Sequence, residues 1–79
     1  MIKINLYTMD SCGRCKDIKK LLDDNSIPYK ELSSDKDLRF LLNKGIKHVP
    51  VIEIKGSFYV GPDAMIKAEE IVSDFKERR

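Results

Sequence analysis

Ile2-Lys3-Ile4-Asn5-Leu6-Tyr7-Thr8-Met9-Asp10-Ser11-Cys12-Gly13-Arg14-Cys15-Lys16 is the stretch that decides the fold. Residues 2–8 alternate, with Ile2, Ile4 and Leu6 on one face and Lys3, Asn5 and Tyr7 on the other, the period of a strand. Met9-Asp10-Ser11 breaks the alternation as a turn. A helix is then expected from near Cys12 to about Asn25. Cys15, Ile18, Leu21, Leu22 and Asn25 share one side of it, and lysines and aspartates cover the other. Asn25 suits the helix end.

Outward from this unit the same logic continues. Ile27-Pro28-Tyr29-Lys30-Glu31-Leu32 is a short strand candidate, with Pro28 near its start, where a missing N–H is tolerated at a sheet edge. Ser34-Asp35-Lys36-Asp37 is a helix entry, Asp37 standing where a capping box prefers Glu. Leu38, Leu41 and Leu42 form the apolar stripe of that helix, and Gly45 stops it. Pro50-Val51-Ile52-Glu53-Ile54 is the third strand, Lys55-Gly56-Ser57 a tight turn, and Phe58-Tyr59-Val60 its hairpin partner. Gly61-Pro62-Asp63 opens a last helix whose buried face is expected from Met65, Ala68, Val72 and Phe75, with Ile66 and Ile71 alongside. The first two strands, separated by a helix, should be parallel through a right-handed crossover. The last two, joined by three residues, must be antiparallel. The result is an α/β fold of order β-α-β-α-β-β-α, a four-stranded mixed sheet flanked by three helices.

Cys12-Gly13-Arg14-Cys15 carries the chemistry. It lies where a strand passes into a helix, and that context turns a bare C-x-x-C into a redox motif. Residues three apart in a first helical turn have Cα atoms about 5–6 Å apart, a separation that suits a disulfide able to open and close with little backbone movement. Cys12 is exposed to unpaired N–H groups and the positive end of the helix dipole, and Arg14 and Lys16 add positive charge. Such settings lower a cysteine pKa from about 8.5 to roughly 3.5–7.5. Cys12 is therefore the expected nucleophile, attacking a substrate disulfide. Cys15, facing inward and staying protonated longer, is expected to attack the Cys12 sulfur and release the reduced substrate. Gly13 leaves the approach to Cys12 open. The alternative is a static disulfide at a helix end, which closes a short loop and constrains little of the unfolded chain.

Val49-Pro50 is the second element of interest. A proline after a loop and before a strand is compatible with a cis peptide bond that presents the Val49 backbone to an extended substrate, and equally with an ordinary strand-start proline. His48, the single histidine, could face Cys12 and stabilise a thiolate or move a proton near neutral pH; otherwise it is a solvent-facing loop residue. Asp10 is a partner for Arg14 or Lys16, or a turn residue. Tyr7 lines the site or packs on the sheet.

The 79 residues fit one domain, 1–79. A net charge of +2 from 15 basic and 13 acidic side chains argues against nucleic acid or an anionic membrane as partner. The basic end Lys76-Glu77-Arg78-Arg79 is expected to offset a helix dipole. No stretch is long enough for a membrane span. The N-terminal segment lacks both the apolar core and the small-residue cleavage site of a signal peptide, so a soluble cytoplasmic protein is expected. In a reducing compartment a close Cys pair is more often catalytic or metal-binding than structural. Two other classes compete with redox exchange. A zinc or iron–sulfur module would use the Cys pair, but zinc wants four ligands and the chain offers Cys12, Cys15 and His48, with Asp10 a poor fourth. No metal site is therefore expected. A non-catalytic interaction domain on the same fold is the other rival.

Tyr7-Thr8, Cys12-x-x-Cys15-Lys16, Ile27-Pro28-Tyr29, Val49-Pro50-Val51, Gly56 and Gly61-x-Asp63 together resemble a short glutaredoxin or glutaredoxin-like thioredoxin over nearly the whole chain. The resemblance implies a thioredoxin fold, a redox-active Cys12–Cys15 disulfide and a cis-proline at Pro50. It implies a substrate-binding surface of Gly13, Arg14, Val49, Pro50 and Asp63, with Val49 pairing its backbone with protein substrate or glutathione and Asp63 holding the glutathione amino end. It further implies a monomeric reductase of protein or glutathione mixed disulfides. No cofactor would be bound, and electrons would come from glutathione or from NADPH-dependent thioredoxin reductase. Some such proteins donate to ribonucleotide reductase. Several positions depart from the usual glutaredoxin pattern. Gly13-Arg14 replaces the Pro-Tyr pair, Met9 replaces a lysine, His48 replaces a threonine, and Ala64 follows Asp63. Cys-Gly-x-Cys-Lys is closer to thioredoxins, and Arg14 or Lys47 could substitute as a carboxylate contact.

Overall fold

The computed structural model describes residues 3–77. Ile2, Arg78 and Arg79, assigned above to a strand and to a basic helix end, lie outside the described residues. The elements run β1 (Ile4–Tyr7), α1 (Gly13–Asp24), β2 (Lys30–Leu32), α2 (Asp35–Asn43), β3 (Val51–Ile54), β4 (Ser57–Val60) and α3 (Pro62–Glu77). The sheet order is β2-β1-β3-β4, with β1 parallel to β2 and antiparallel to β3, and β3 antiparallel to β4. Element order and strand directions are those expected from the sequence.

Local chemistry explains the element ends. α1 closes with Ser26 in the left-handed region (φ 56°). Ile27 N–H then donates to Leu22 C=O at 2.9 Å and Ser26 N–H to Asp23 C=O at 3.0 Å, the Schellman arrangement. It also drops Ile27 into the core against Leu22. That is why Ile27 is buried without being part of β2, which begins only at Lys30. α2 opens with the expected capping box. Ser34 Oγ accepts the Asp37 N–H at 3.1 Å, and Asp37 Oδ2 accepts the Ser34 N–H at 3.3 Å. It ends with Gly45 at φ 81°, Ile46 N–H donating to Leu41 C=O at 2.9 Å. The β3–β4 turn needs two consecutive left-handed residues, Lys55 (φ 51°) and Gly56 (φ 84°), which matches the twist of a two-residue hairpin. Ser57 therefore belongs to the strand rather than to the turn.

The sheet is covered on both faces. On one, Ile4, Leu6, Ile52 and Ile54 meet Ile18 and Leu22 of α1 and Ala64, Ala68 and Val72 of α3. On the other, Tyr7 and Val51 meet Leu41 of α2, with Leu38, Ile46 and Phe58 at the margin. Two expectations fail here. Leu42 of α2 is 57% exposed and Ile66 of α3 is 56% exposed. α2 is short and touches the sheet with a narrow stripe centred on Leu41. α3 packs on α1 and the sheet through small Ala64 and Ala68, which turns Ile66 outward.

Candidate active site

β1 delivers the chain to the Cys pair. Its last residue, Tyr7, is buried and lies opposite Val51 of β3. Thr8 follows, also buried, its N–H donating to Leu32 C=O at 3.1 Å beyond the last β1–β2 pair. Cys12 N–H then donates to Met9 C=O at 3.2 Å, closing the turn predicted over residues 9–11. Cys12 is the N-cap of α1, in extended conformation, with its Sγ accepting the Cys15 N–H at 3.1 Å. The sulfur thus satisfies a helix-end donor that would otherwise be unpaired, and such a bond favours negative charge on the sulfur. No acidic residue lies in the first turn of α1 to oppose it.

Cys12 and Cys15 are joined in a disulfide, with Cα atoms 5.3 Å apart. The two sulfurs differ in environment: Cys12 is half-buried at the surface, whereas Cys15 is 1% exposed. Gly13 and Arg14 between them are exposed, and a Cβ on Gly13 would meet nothing within 4 Å.

The sheet register gathers the other expected residues at the same end. Val51 pairs with both Tyr7 and Val60, so the residue before Val51 and those after Val60 sit beside Thr8 and the Cys turn. The Val49–Pro50 peptide bond is cis, the alternative the residues alone left open. Pro50 is buried and its C=O accepts the Gly61 N–H at 2.8 Å, tying the start of α3 to this edge. Among the described residues no loop or turn hydrogen bond uses the Val49 backbone. Asp63 stands exposed in the first turn of α3. His48 and Lys47 are exposed, His48 being the solvent-facing loop residue of the two options above. Asp10 is exposed and forms no ion pair with Arg14 or Lys16.

Two polar clusters escaped the sequence reading. On the α2 face, Tyr7 Oη donates to Glu53 Oε1 at 2.9 Å, and Asn5 Nδ2 donates to the same oxygen at 3.3 Å. Burial, then the Glu53 hydrogen bond and charge, push the Tyr7 hydroxyl up to about 12. Tyr7 therefore packs on the sheet, stacked near Phe40 with ring centroids 6.3 Å apart. On the α1 face, Thr8 Oγ1 donates to Glu31 Oε2 at 2.8 Å, and Lys19 Nζ reaches the same oxygen at 3.0 Å. The signal for the first was the alternation of β1, which puts Asn5 and Tyr7 on one face. The signal for the second was Lys19 standing four residues after Cys15. Both needed the strand register to be completed. Among the described residues no group of three or more His, Cys, Asp or Glu side chains is placed to hold a metal ion.

The glutaredoxin family profile matches residues 4–59, from β1 through most of the β3–β4 hairpin. The chain belongs to the glutaredoxin family. No curated protein matches it significantly. Among solved structures, the thioredoxin-like protein BC3987 superposes with a TM-score of 0.67 at 27% identity, over 89% of this chain and 99% of that one. Glutaredoxin 1 from Francisella tularensis, in a complex with cacodylate, gives 0.67 at 21% identity over 92% and 99% of the two chains. A buckwheat glutaredoxin–glutathione complex gives 0.67 at 20% identity over 94% and 76%. The thioredoxin fold expected from the sequence is thus the fold of this glutaredoxin. Family, fold and the Cys12–Cys15 pair together support thiol–disulfide oxidoreductase chemistry in general. Among the described residues no helix is long and apolar enough to cross a membrane.

Proposed function

We propose that this glutaredoxin reduces protein disulfides through a Cys12–Cys15 dithiol cycle and accepts electrons from NADPH-dependent thioredoxin reductase at least as well as from glutathione. One observation carries the reading. A half-exposed Cys12 caps α1 and accepts the Cys15 N–H, while its partner sulfur is buried directly behind it. Cys12, as thiolate, attacks one sulfur of the substrate disulfide, and the other substrate sulfur leaves with the electron pair. Cys15 then attacks the Cys12 sulfur, the bond to the substrate breaks, and the substrate departs as a thiolate. Two electrons have moved to the substrate and the Cys pair is oxidised. Gly13 and Arg14 are the surface the substrate meets first. The Val49 backbone supplies strand-like hydrogen bonds beside Pro50, and Asp63 receives a cationic group such as an amino terminus.

Glutathione binding in the buckwheat relative supports glutathione as one donor. Thioredoxin reductase as the other is supported by the Cys-Gly-Arg-Cys-Lys sequence and by Met9, His48 and Ala64 at positions where glutaredoxins usually carry other residues. We take the active form to be a monomer of one domain in the cytoplasm, with ribonucleotide reductase among its acceptors. Parallel assays of insulin-disulfide reduction, one with glutathione and its reductase and one with thioredoxin reductase and NADPH, test the donor. The second system is expected to support turnover at least equal to the first. Turnover with glutathione alone would overturn that assignment.

A further inference from the structure

Thr8, Glu31 and Lys19 form a polar cluster that takes no part in the two sulfur-exchange steps. Their placement follows from the register. Thr8 alternates with Tyr7 and so shares a face with Leu6 and Ile4, the face packed by α1 and α3. Glu31 is the β2 partner of Leu6 and points the same way. Lys19 lies on α1 above them. It stands four residues after Cys15, so the two are neighbours on one helix face, about 5–6 Å apart at Cβ. Helical side chains lean toward the N-terminus, which carries the Lys19 stem over the turn that holds Cys15.

The cluster is anchored from inside the protein. Thr8 is 2% exposed, and its hydroxyl proton goes to Glu31 Oε2 at 2.8 Å. The same oxygen receives Lys19 Nζ at 3.0 Å. The Thr8 hydrogen bond first, and then Lys19, hold the Glu31 carboxyl below its usual range, so it is ionised at neutral pH. The remaining charged groups at this end of the molecule, Asp10, Arg14, Lys16, Asp17, Lys47, His48 and Asp63, are all exposed. Among the described residues none of these side chains has a hydrogen bond or ion pair to fix it, whereas Lys19 is pinned through Glu31 to a buried hydroxyl.

We infer that Lys19 is a positioning residue for the second step of the cycle: held by Glu31 and Thr8 one helical turn from Cys15, its ammonium favours the charged form of the buried sulfur that must attack Cys12. This rests on the dithiol cycle proposed above. In that step Cys15 gives its proton to water, its sulfur bonds to Cys12 Sγ, and the Cys12–substrate bond breaks with the electron pair leaving on the substrate sulfur. A buried thiol resists ionisation, so a fixed cation nearby acts on this step and much less on capture by the half-buried Cys12 at the surface.

Reduced protein mixed with 5,5′-dithiobis(2-nitrobenzoate) in a stopped-flow instrument separates the two steps. Each releases one coloured thiolate, the first on capture by Cys12 and the second on attack by Cys15. Lys19→Met is expected to slow the second phase about 3- to 10-fold at pH 7 and to raise the pH midpoint of its rate by about half to one unit, the first phase staying at the wild-type rate. Lys19→Arg should restore the second phase to within about twofold. An unchanged second phase in Lys19→Met, equal slowing of both phases, or no rescue by Lys19→Arg overturns the inference. Absence of the first phase in the wild-type protein refutes disulfide exchange itself, and this inference with it.

Discussion

Tyr7→Phe tests the buried hydroxyl on which the end of β1 rests. In the folded protein the Tyr7 hydroxyl is raised from 10.0 to about 12, by burial first and by the Glu53 carboxylate second. The folded state therefore keeps the Tyr7 proton longer than the unfolded chain. Unfolding between pH 10 and 12 releases that proton, so stability falls as pH rises through the window. At pH 7 the substitution removes a hydrogen bond to a charged acceptor and is expected to cost about 1.5–3 kcal/mol. The wild-type advantage over Tyr7→Phe should therefore shrink by about 1 kcal/mol at pH 11 and by about 2 kcal/mol at pH 12. Urea unfolding of both proteins at pH 8, 10, 11 and 12 measures this directly, because groups common to both cancel in the difference. An ultraviolet titration should lose one tyrosinate transition near pH 12 in the variant. A difference that stays constant from pH 8 to pH 12, or a lost transition near pH 10, would refute the account of a buried, Glu53-bound hydroxyl.

Cys12→Ser should abolish disulfide reduction, while Cys15→Ser should accumulate mixed disulfides visible by intact mass. Equal residual turnover in both variants would overturn the assigned roles. Ser34→Ala removes the α2 capping box and should cost about 1 kcal/mol in urea unfolding; a cost below about 0.3 kcal/mol would show that the box is not formed in solution. Leu6→Ala, at a fully buried position in the central strand, should cost about 2–5 kcal/mol, and a loss under 1 kcal/mol would contradict its place in the core. Acidification should weaken the protein as Glu31 takes up a proton below its usual range, and Glu31→Gln should flatten that part of the acid-side stability curve.

The fold is legible in the sequence wherever one short segment holds its own signal. The switch from alternation to helical spacing at Cys12, the Ser34-to-Asp37 box and Lys55-Gly56 each fix an element without help from the rest of the chain. Residues whose state depends on distant partners are harder. Leu42 and Ile66 carry the helical pattern of buried residues, yet α2 covers too little of the sheet and α3 packs too closely through its alanines for either to go inside. Ile27 reads as strand but is the residue after a Schellman turn. The Cys pair stands out because both sulfurs lie within one helical turn. Glu31 and Glu53 look like ordinary surface carboxylates until the register sets Glu31 beside Leu6 and Glu53 beside Asn5. The cis bond at Pro50 depends on the loop around it, and the residues alone leave both isomers open.

The sheet order has a consequence for the birth of the molecule. The central strand is made first, and both of its neighbours, β2 from Lys30 and β3 from Val51, are made later. During synthesis the two thiols emerge from the ribosome well before the strand that completes the sheet beside them. The nascent chain thus presents Cys15 to solvent, and to any oxidant or alkylating agent there, at a stage when nothing yet shields it.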